Sequence, residues 1–391
     1  MKLGLDRLTA EYLHLLENKR LGILANTASV NSDGENIVDL LLAQEGLKIT
    51  TLFGPEHGLS SVAQDMESVA DSKFSNEQTG KPLPVYSLYG NSFSSLSPRK
   101  KMLDQIDCLI IDLQDIGSRY YTYIWTMALC LKACQNYGKQ VIICDRPNPL
   151  NGLSLEGALP KPGFESFVGL RPLPVRHGMT IAEIANYLVK EYNIECGLQI
   201  IHLQDWPRSW VWPDTELAWH NPSPNMRSYE AALLYPGMCL IEGTNISEGR
   251  GTNSPFEVVG APFIHAEKLI AEFEKLNLPG IKAKPIQFVP GKQKWAGKSC
   301  QGVRWKILDE KTFLPYLTGL AFIWCLHKLY HQHGFEWRTE KYEFVSDKPA
   351  IDLLTGSSFF RENINESFDV LAKLSKAEET FMDKRKKFLL Y

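Results

Sequence analysis

Ile49-Thr50-Thr51-Leu52-Phe53-Gly54-Pro55-Glu56-His57-Gly58 is the stretch on which the fold turns. Five apolar and β-branched residues run straight into a glycine and proline frame, which reads as a strand opening into a turn at its carboxyl end. Upstream, Arg20-Leu21-Gly22-Ile23-Leu24-Ala25-Asn26 has the same form, and residues 36–45 between them carry Ile37, Leu40 and Leu41 on one helical stripe. Strand, helix, strand is the unit of a parallel sheet. Downstream, residues 84–89, 108–113 and 140–145 continue the series, with a helix over about 122–137 stopped by Gly138. Runs that are apolar throughout, rather than alternating, belong to strands covered on both faces.

A helix near 180–192, a strand near 198–203, a helix near 228–235 and a strand near 238–242 extend the pattern into one large doubly wound sheet. The character then changes. Residues 286–290 and 302–308 read as strands, and 312–332 and 367–387 as helices. The expected architecture is therefore α/β, with a largely parallel sheet domain over 1–250 and a smaller auxiliary α+β domain over 251–391 that closes a cleft.

In an open parallel sheet, ligands bind outside the carboxyl ends of the strands. The unusual polar residues gather there: Asn26, then Glu56 and His57, then Asp112, Gln114, Asp115 and Arg119, then Asp145, Arg146 and Asn148. Glu242, Asn245, Glu248 and Arg250 follow the last expected strand. Glycosidic hydrolysis commonly needs a protonated carboxylic acid for the leaving oxygen and a second carboxylate on the other side of the sugar. Glu56 with Glu248 or Glu242 supplies such a pair, and an exposed turn or a buried ion pair is the plain structural alternative. Asp115 is read as catalytic, as the cap of a helix beginning near Tyr120, or as a partner that holds Arg119 in place.

Arg119, Arg146, Arg176 and Arg250 offer planar bidentate donors for a substrate carboxylate, or for a structural ion pair. His177 precedes a helix that Thr180 and Glu183 would cap reciprocally. Tyr120, its tyrosine neighbours and the tryptophans at 206, 210, 212 and 219 either stack on a sugar or pack the loops.

The 391 residues carry 42 Lys and Arg against 45 Asp and Glu, so no polyanion partner such as nucleic acid is expected. Eight cysteines in mostly apolar surroundings fit free thiols in a reducing compartment, and no ligand spacing points to a metal. Charge interrupts the N-terminal residues before an apolar run forms, and no stretch reaches the length of a membrane span, so a cytoplasmic protein is expected. Neither a dinucleotide fingerprint at the first strand nor a phosphate loop nor a His-Glu-x-x-His motif is present, which favours a hydrolase without a cofactor.

Taken in order, several segments resemble the NamZ-like exo-β-N-acetylmuramidases, glycoside hydrolase family 171. They are residues 52–58, 84–90, 112–123, 145–149, Arg176-His177-Gly178-Met179-Thr180, Pro222-Ser223-Pro224-Asn225-Met226 and Glu248-Gly249-Arg250-Gly251-Thr252. The resemblance implies a Rossmann-like domain with a smaller C-terminal domain. It also implies release of N-acetylmuramic acid from the non-reducing end of peptide-free peptidoglycan saccharides, in recycling or cell-wall degradation, and it is compatible with a homodimer.

Glu56 falls on the family's leading catalytic position. His57, Asp115, Arg119, His177, Asn225, Glu248 and Arg250 fall on its other polar positions. Two departures stand out: Leu59-Ser60-Ser61 replaces a turn that usually contains Arg-Gly, and Asn253-Ser254 follows Arg-Gly-Thr. The first keeps open a non-catalytic muropeptide- or sugar-binding descendant.

Overall fold

The computed structural model describes residues 1–64, 66–75 and 80–391. A seven-stranded sheet forms its body: β1 (Arg20–Ala25), β2 (Lys48–Gly54), β3 (Ser72–Phe74), β4 (Leu83–Ser87), β5 (Cys108–Asp112), β6 (Gln140–Cys144) and β7 (Gly197–Ile201). Their order is β3-β4-β2-β1-β5-β6-β7. Every pairing is parallel except β3 with β4. The chain moves outward from β1 in both directions, so the carboxyl ends of β1, β2 and β5 border the crevice where strand order reverses.

The uniformly apolar strands are explained by their two covers. Leu21, Ile23, Leu52, Ile110 and Ile142 enter one buried cluster. Their neighbours Leu24, Phe53, Leu109, Ile111, Val141 and Ile143 enter a second, larger one on the other face. Alternate residues thus serve opposite layers, and neither face is left for polar side chains. Helix Ile181–Glu191 starts as expected, with the Thr180 hydroxyl accepting from the Glu183 amide and the Glu183 carboxylate accepting from the Thr180 amide.

A second, antiparallel sheet of β8 (Val258–Ala261), β9 (Ile281–Phe288) and β10 (Cys300–Ile307) has the order β8-β10-β9. Among the described residues no helix is long and apolar enough to cross a membrane.

Two expectations fail. The strand near 238–242 is a 3₁₀ turn, Cys239–Gly243, continuing helix Tyr229–Met238. That helix crosses Pro315–Tyr330 so closely that a Cβ on Gly237 would meet the Pro315 carbonyl oxygen at 2.0 Å. The apolar run Cys239-Leu240-Ile241 is therefore buried among helices, and a short apolar run cannot reveal that by its periodicity. The parallel sheet ends at β7. Likewise, 367–387 is not one helix but Phe368–Leu371, a 3₁₀ turn Ala372–Ser375, and Glu379–Arg385. The carbonyls of Leu374 and Ser375 accept from the Ala158 and Gly157 amides instead of continuing a helix.

Candidate active site

The turn after β2 is built for close approach. A Cβ on Gly54 would lie 2.5 Å from the Leu59 amide nitrogen, so only glycine lets the chain fold back here. The Gly58 N–H donates to the Pro55 carbonyl at 2.9 Å, and His57 takes a left-handed φ of +70°. Such backbone costs a non-glycine residue on the order of 1 kcal/mol. The turn aims Glu56 inward, where it is 4% exposed. The Thr122 hydroxyl donates to its Oε2 at 2.6 Å, and the Met66 N–H to its Oε1 at 3.4 Å. His57 is fixed in turn, with Nδ1 2.8 Å from the Ala63 carbonyl.

Glu56 opens on a narrow pocket whose other acids are Glu242 and Glu343. His57, Thr122, Asn225 and Arg250 add polar groups to its wall, and Tyr120, Tyr121, Tyr235, Phe256 and Tyr342 supply the rings. The tryptophans of 206–219 take no part in this wall. Segment 222–226 is pinned against it through the Pro222 carbonyl, which accepts from Asn26 Nδ2 at 3.0 Å and from the Tyr123 hydroxyl at 2.5 Å. Asn26 thus serves the pocket from behind.

Arg250 ties the far wall together. Its Nη2 donates to Glu242 at 2.5 Å and its Nε to Glu248 at 2.7 Å, while the Tyr342 hydroxyl donates to the other Glu242 oxygen at 2.8 Å. Glu248 lies behind Arg250, 2.8 Å from Lys294. Burial pushes its carboxyl up, but Lys294 and Arg250 outweigh burial and hold it down at about 2. A carboxylate so held stays ionised near neutrality and has no proton to give.

Glu343 was not singled out in the sequence. It sits in a tight turn in which Tyr342 and Val345 exchange backbone hydrogen bonds of 2.9 Å. Glu343 and Phe344 are both left-handed, with φ of +43° and +70°. The Tyr89 hydroxyl lies 3.3 Å from each Glu343 carboxylate oxygen. Two consecutive left-handed residues normally call for Asn or Gly, and neither marks this turn, so no sequence signal exposes it.

The remaining expected site residues are held elsewhere. Asp115 accepts from the Gly117 N–H at 2.8 Å and lies 3.2 Å from His177 Nε2, off the pocket wall. His177 is fully buried and its Nδ1 accepts from the Met179 amide. Asp115 does not hold Arg119, whose guanidinium donates to the carbonyls of Ala158, Leu173 and Leu354. Arg146 is locked bidentately on Asp112 at 2.5 and 2.7 Å. Arg176 faces Glu156 at 3.4 Å and donates to the Leu150 carbonyl, while Glu156 accepts from the first amides of helix Pro315–Tyr330. Asn245 is bonded to Gly334 and Glu336, outside the pocket. Leu59 and Ser60 face a neighbouring groove with Val62, Phe74 and Tyr86, which borders the pocket only at His57.

With this geometry established, comparison with known proteins decides the family. The family description "exo-beta-N-acetylmuramidase NamZ" matches by its N-terminal model over residues 21–230 and by its C-terminal model over 233–391. The chain belongs to the NamZ exo-β-N-acetylmuramidase family. Its relatives include the peptidoglycan beta-N-acetylmuramidase NamZ of Bacillus subtilis (strain 168), 40% identical over 99% of this chain and 91% of that protein. Two solved DUF1343 family proteins of Bacteroides fragilis NCTC 9343 share the fold. One superposes with a TM-score of 0.84 at 28% identity, covering 99% of this chain and 97% of its own. The other gives 0.71 at 26%, covering 100% and 98%. Family membership makes the chain a glycoside hydrolase.

Proposed function

We propose that this chain is an exo-β-N-acetylmuramidase that releases N-acetylmuramic acid from the non-reducing end of peptide-free peptidoglycan fragments, with Glu56 as its acid. The observation that carries this reading is the buried Glu56 carboxyl, oriented by Thr122 and sharing one pocket wall with Glu242 and Glu343. Glu56 protonates the glycosidic oxygen as its bond to the anomeric carbon breaks. Positive charge develops on the sugar ring, and carboxylates on the wall stabilise it. Glu343 takes the proton of the water that then adds to the anomeric carbon. Glu242, committed to Arg250 and Tyr342, contributes fixed negative charge.

Residues 1–250 carry most of the pocket, and 251–391 cover it through Tyr342 and Glu343. Asn225 and His57 line the sugar site, while Asn26, Asp115, His177 and Arg119 hold its frame. Eight free cysteines support action in the reducing cytoplasm.

The test is hydrolysis of an aryl β-N-acetylmuraminide. Glu56→Gln should lower kcat by about 10³-fold, within the usual range for a lost acid–base group, and leave the melting temperature unchanged. Equal turnover by the variant would overturn the assignment, and binding without turnover by the wild type would make the protein a sugar-binding module.

A further inference from the structure

N-acetylmuramic acid differs from N-acetylglucosamine by a lactyl ether, and a site that distinguishes them has to meet its carboxylate. The arginines expected for this are committed. Arg119 is fully buried with both terminal nitrogens on carbonyls, Arg176 faces Glu156, and Arg250 spans Glu242 and Glu248.

Arg338 is placed differently. Its backbone is anchored, the N–H donating to the Gly243 carbonyl at 2.9 Å and its own carbonyl accepting from Ala350 at 3.3 Å. Its half-buried guanidinium lies 5.0 Å from the Tyr342 ring centre and 3.3 Å from the Met66 sulfur. Each neighbour leads directly to an acid of the pocket: Tyr342 donates to Glu242, and the Met66 amide donates to Glu56. A thioether is a weak acceptor and an aromatic face is none, so most of the five guanidinium donors meet no oxygen among the described residues. None of the described carboxylates pairs with it. The side chain is not on the Glu56 pocket wall itself but borders a separate depression with Thr244, Asn245, Lys294 and Trp337. Lys294 does not compete there, being bonded to Glu248 and to the carbonyls of Ile241 and Thr244.

We propose that Arg338 binds the lactyl carboxylate of N-acetylmuramic acid and thereby sets the preference of the pocket for free muramic residues. This rests on the muramidase reading above. A planar guanidinium held by stacking presents two parallel N–H groups, the geometry a carboxylate accepts bidentately. A stem peptide is joined to this same carboxyl as an amide. Amide formation removes the charge and one acceptor oxygen, so a site read by Arg338 discriminates against peptide-bearing sugars without a steric gate.

The experiment compares an aryl β-N-acetylmuraminide with its lactyl methyl ester, for the wild type, Arg338→Gln and Arg338→Lys. The wild type should favour the free acid in kcat/KM by at least about tenfold, the scale of one charge-assisted contact. Arg338→Gln should bring that ratio close to one, mainly through KM, and Arg338→Lys should restore part of it. A wild type indifferent to esterification overturns the proposal, and so does a Gln variant that slows both substrates equally and keeps the wild-type ratio. The wild-type comparison stands even where a variant fails to fold. A wild type that cleaves neither compound removes the muramidase reading itself, which separates the two failures.

Discussion

Two clusters of acid and arginine lie at the carboxyl ends of the same sheet, and they do opposite things. At β5 and β6, Asp112 and Arg146 form a closed pair in which both carboxylate oxygens are taken and Arg146 also donates to the Val30 carbonyl. Burial raises the Asp112 carboxyl, and Arg146 opposes that rise. Beyond β2, the Glu56 carboxylate is buried to nearly the same degree but itself borders a pocket, whereas at Asp112 only the partner Arg146 reaches one. Burial alone therefore does not mark a catalytic acid. What separates the clusters is whether a carboxylate has a face left over for a ligand.

The sharpest way to break this contrast is Arg146→Met, which leaves Asp112 buried without its partner. It should cost about 3–5 kcal/mol of stability in chemical denaturation. Full stability with lost turnover would move Arg146 into the chemistry. Next in size, Glu343→Gln should reduce kcat/KM on the muraminide by about 10²-fold, near 2.7 kcal/mol, with little change in melting temperature. If Glu343→Gln is silent while Glu248→Gln abolishes turnover in a stable protein, the base is Glu248 and not Glu343.

The smallest effect concerns pH. Burial raises the Asp145 carboxyl to about 7 despite hydrogen bonds from Tyr391, Thr180 and Ala182. An acid raised on folding contributes stability fully below its unfolded value near 3.8 and loses it as pH climbs through about 7. The melting temperature should fall between about pH 4 and about pH 7, and Asp145→Asn should flatten that slope. An unchanged slope would place the titrating group elsewhere.

Much of the fold was legible because buried parallel strands leave a plain trace. Leu21 to Ala25 and Cys108 to Ile111 are apolar on every residue, and few other structures demand that. The turn at Glu56 was legible for a similar reason, since Gly54 and Pro55 are local requirements of a local shape. The segment after Met238 was not, because Cys239-Leu240-Ile241 suits a strand or a buried helix equally and only its neighbours choose. That Arg119, Arg146 and Arg176 lie off the Glu56 pocket wall was not legible on the same ground: an arginine in a loop looks alike whether its partner is a ligand, a carbonyl or a distant glutamate.

The sequence by itself determined the doubly covered sheet, the capped helix at Thr180, the inward turn that presents Glu56 and the family whose ordered motifs the chain carries. These follow from periodicity, from glycine and proline stereochemistry and from short-range hydrogen bonds, all confined to a few consecutive residues. Only the tertiary structure decided which acids share the pocket, put Glu343 and Arg338 beside residues nearly 300 positions earlier, and moved Asp115 and Glu248 behind its wall. Charge pairing is settled by distance in space and by access to solvent, and neither is written in the order of residues along the chain.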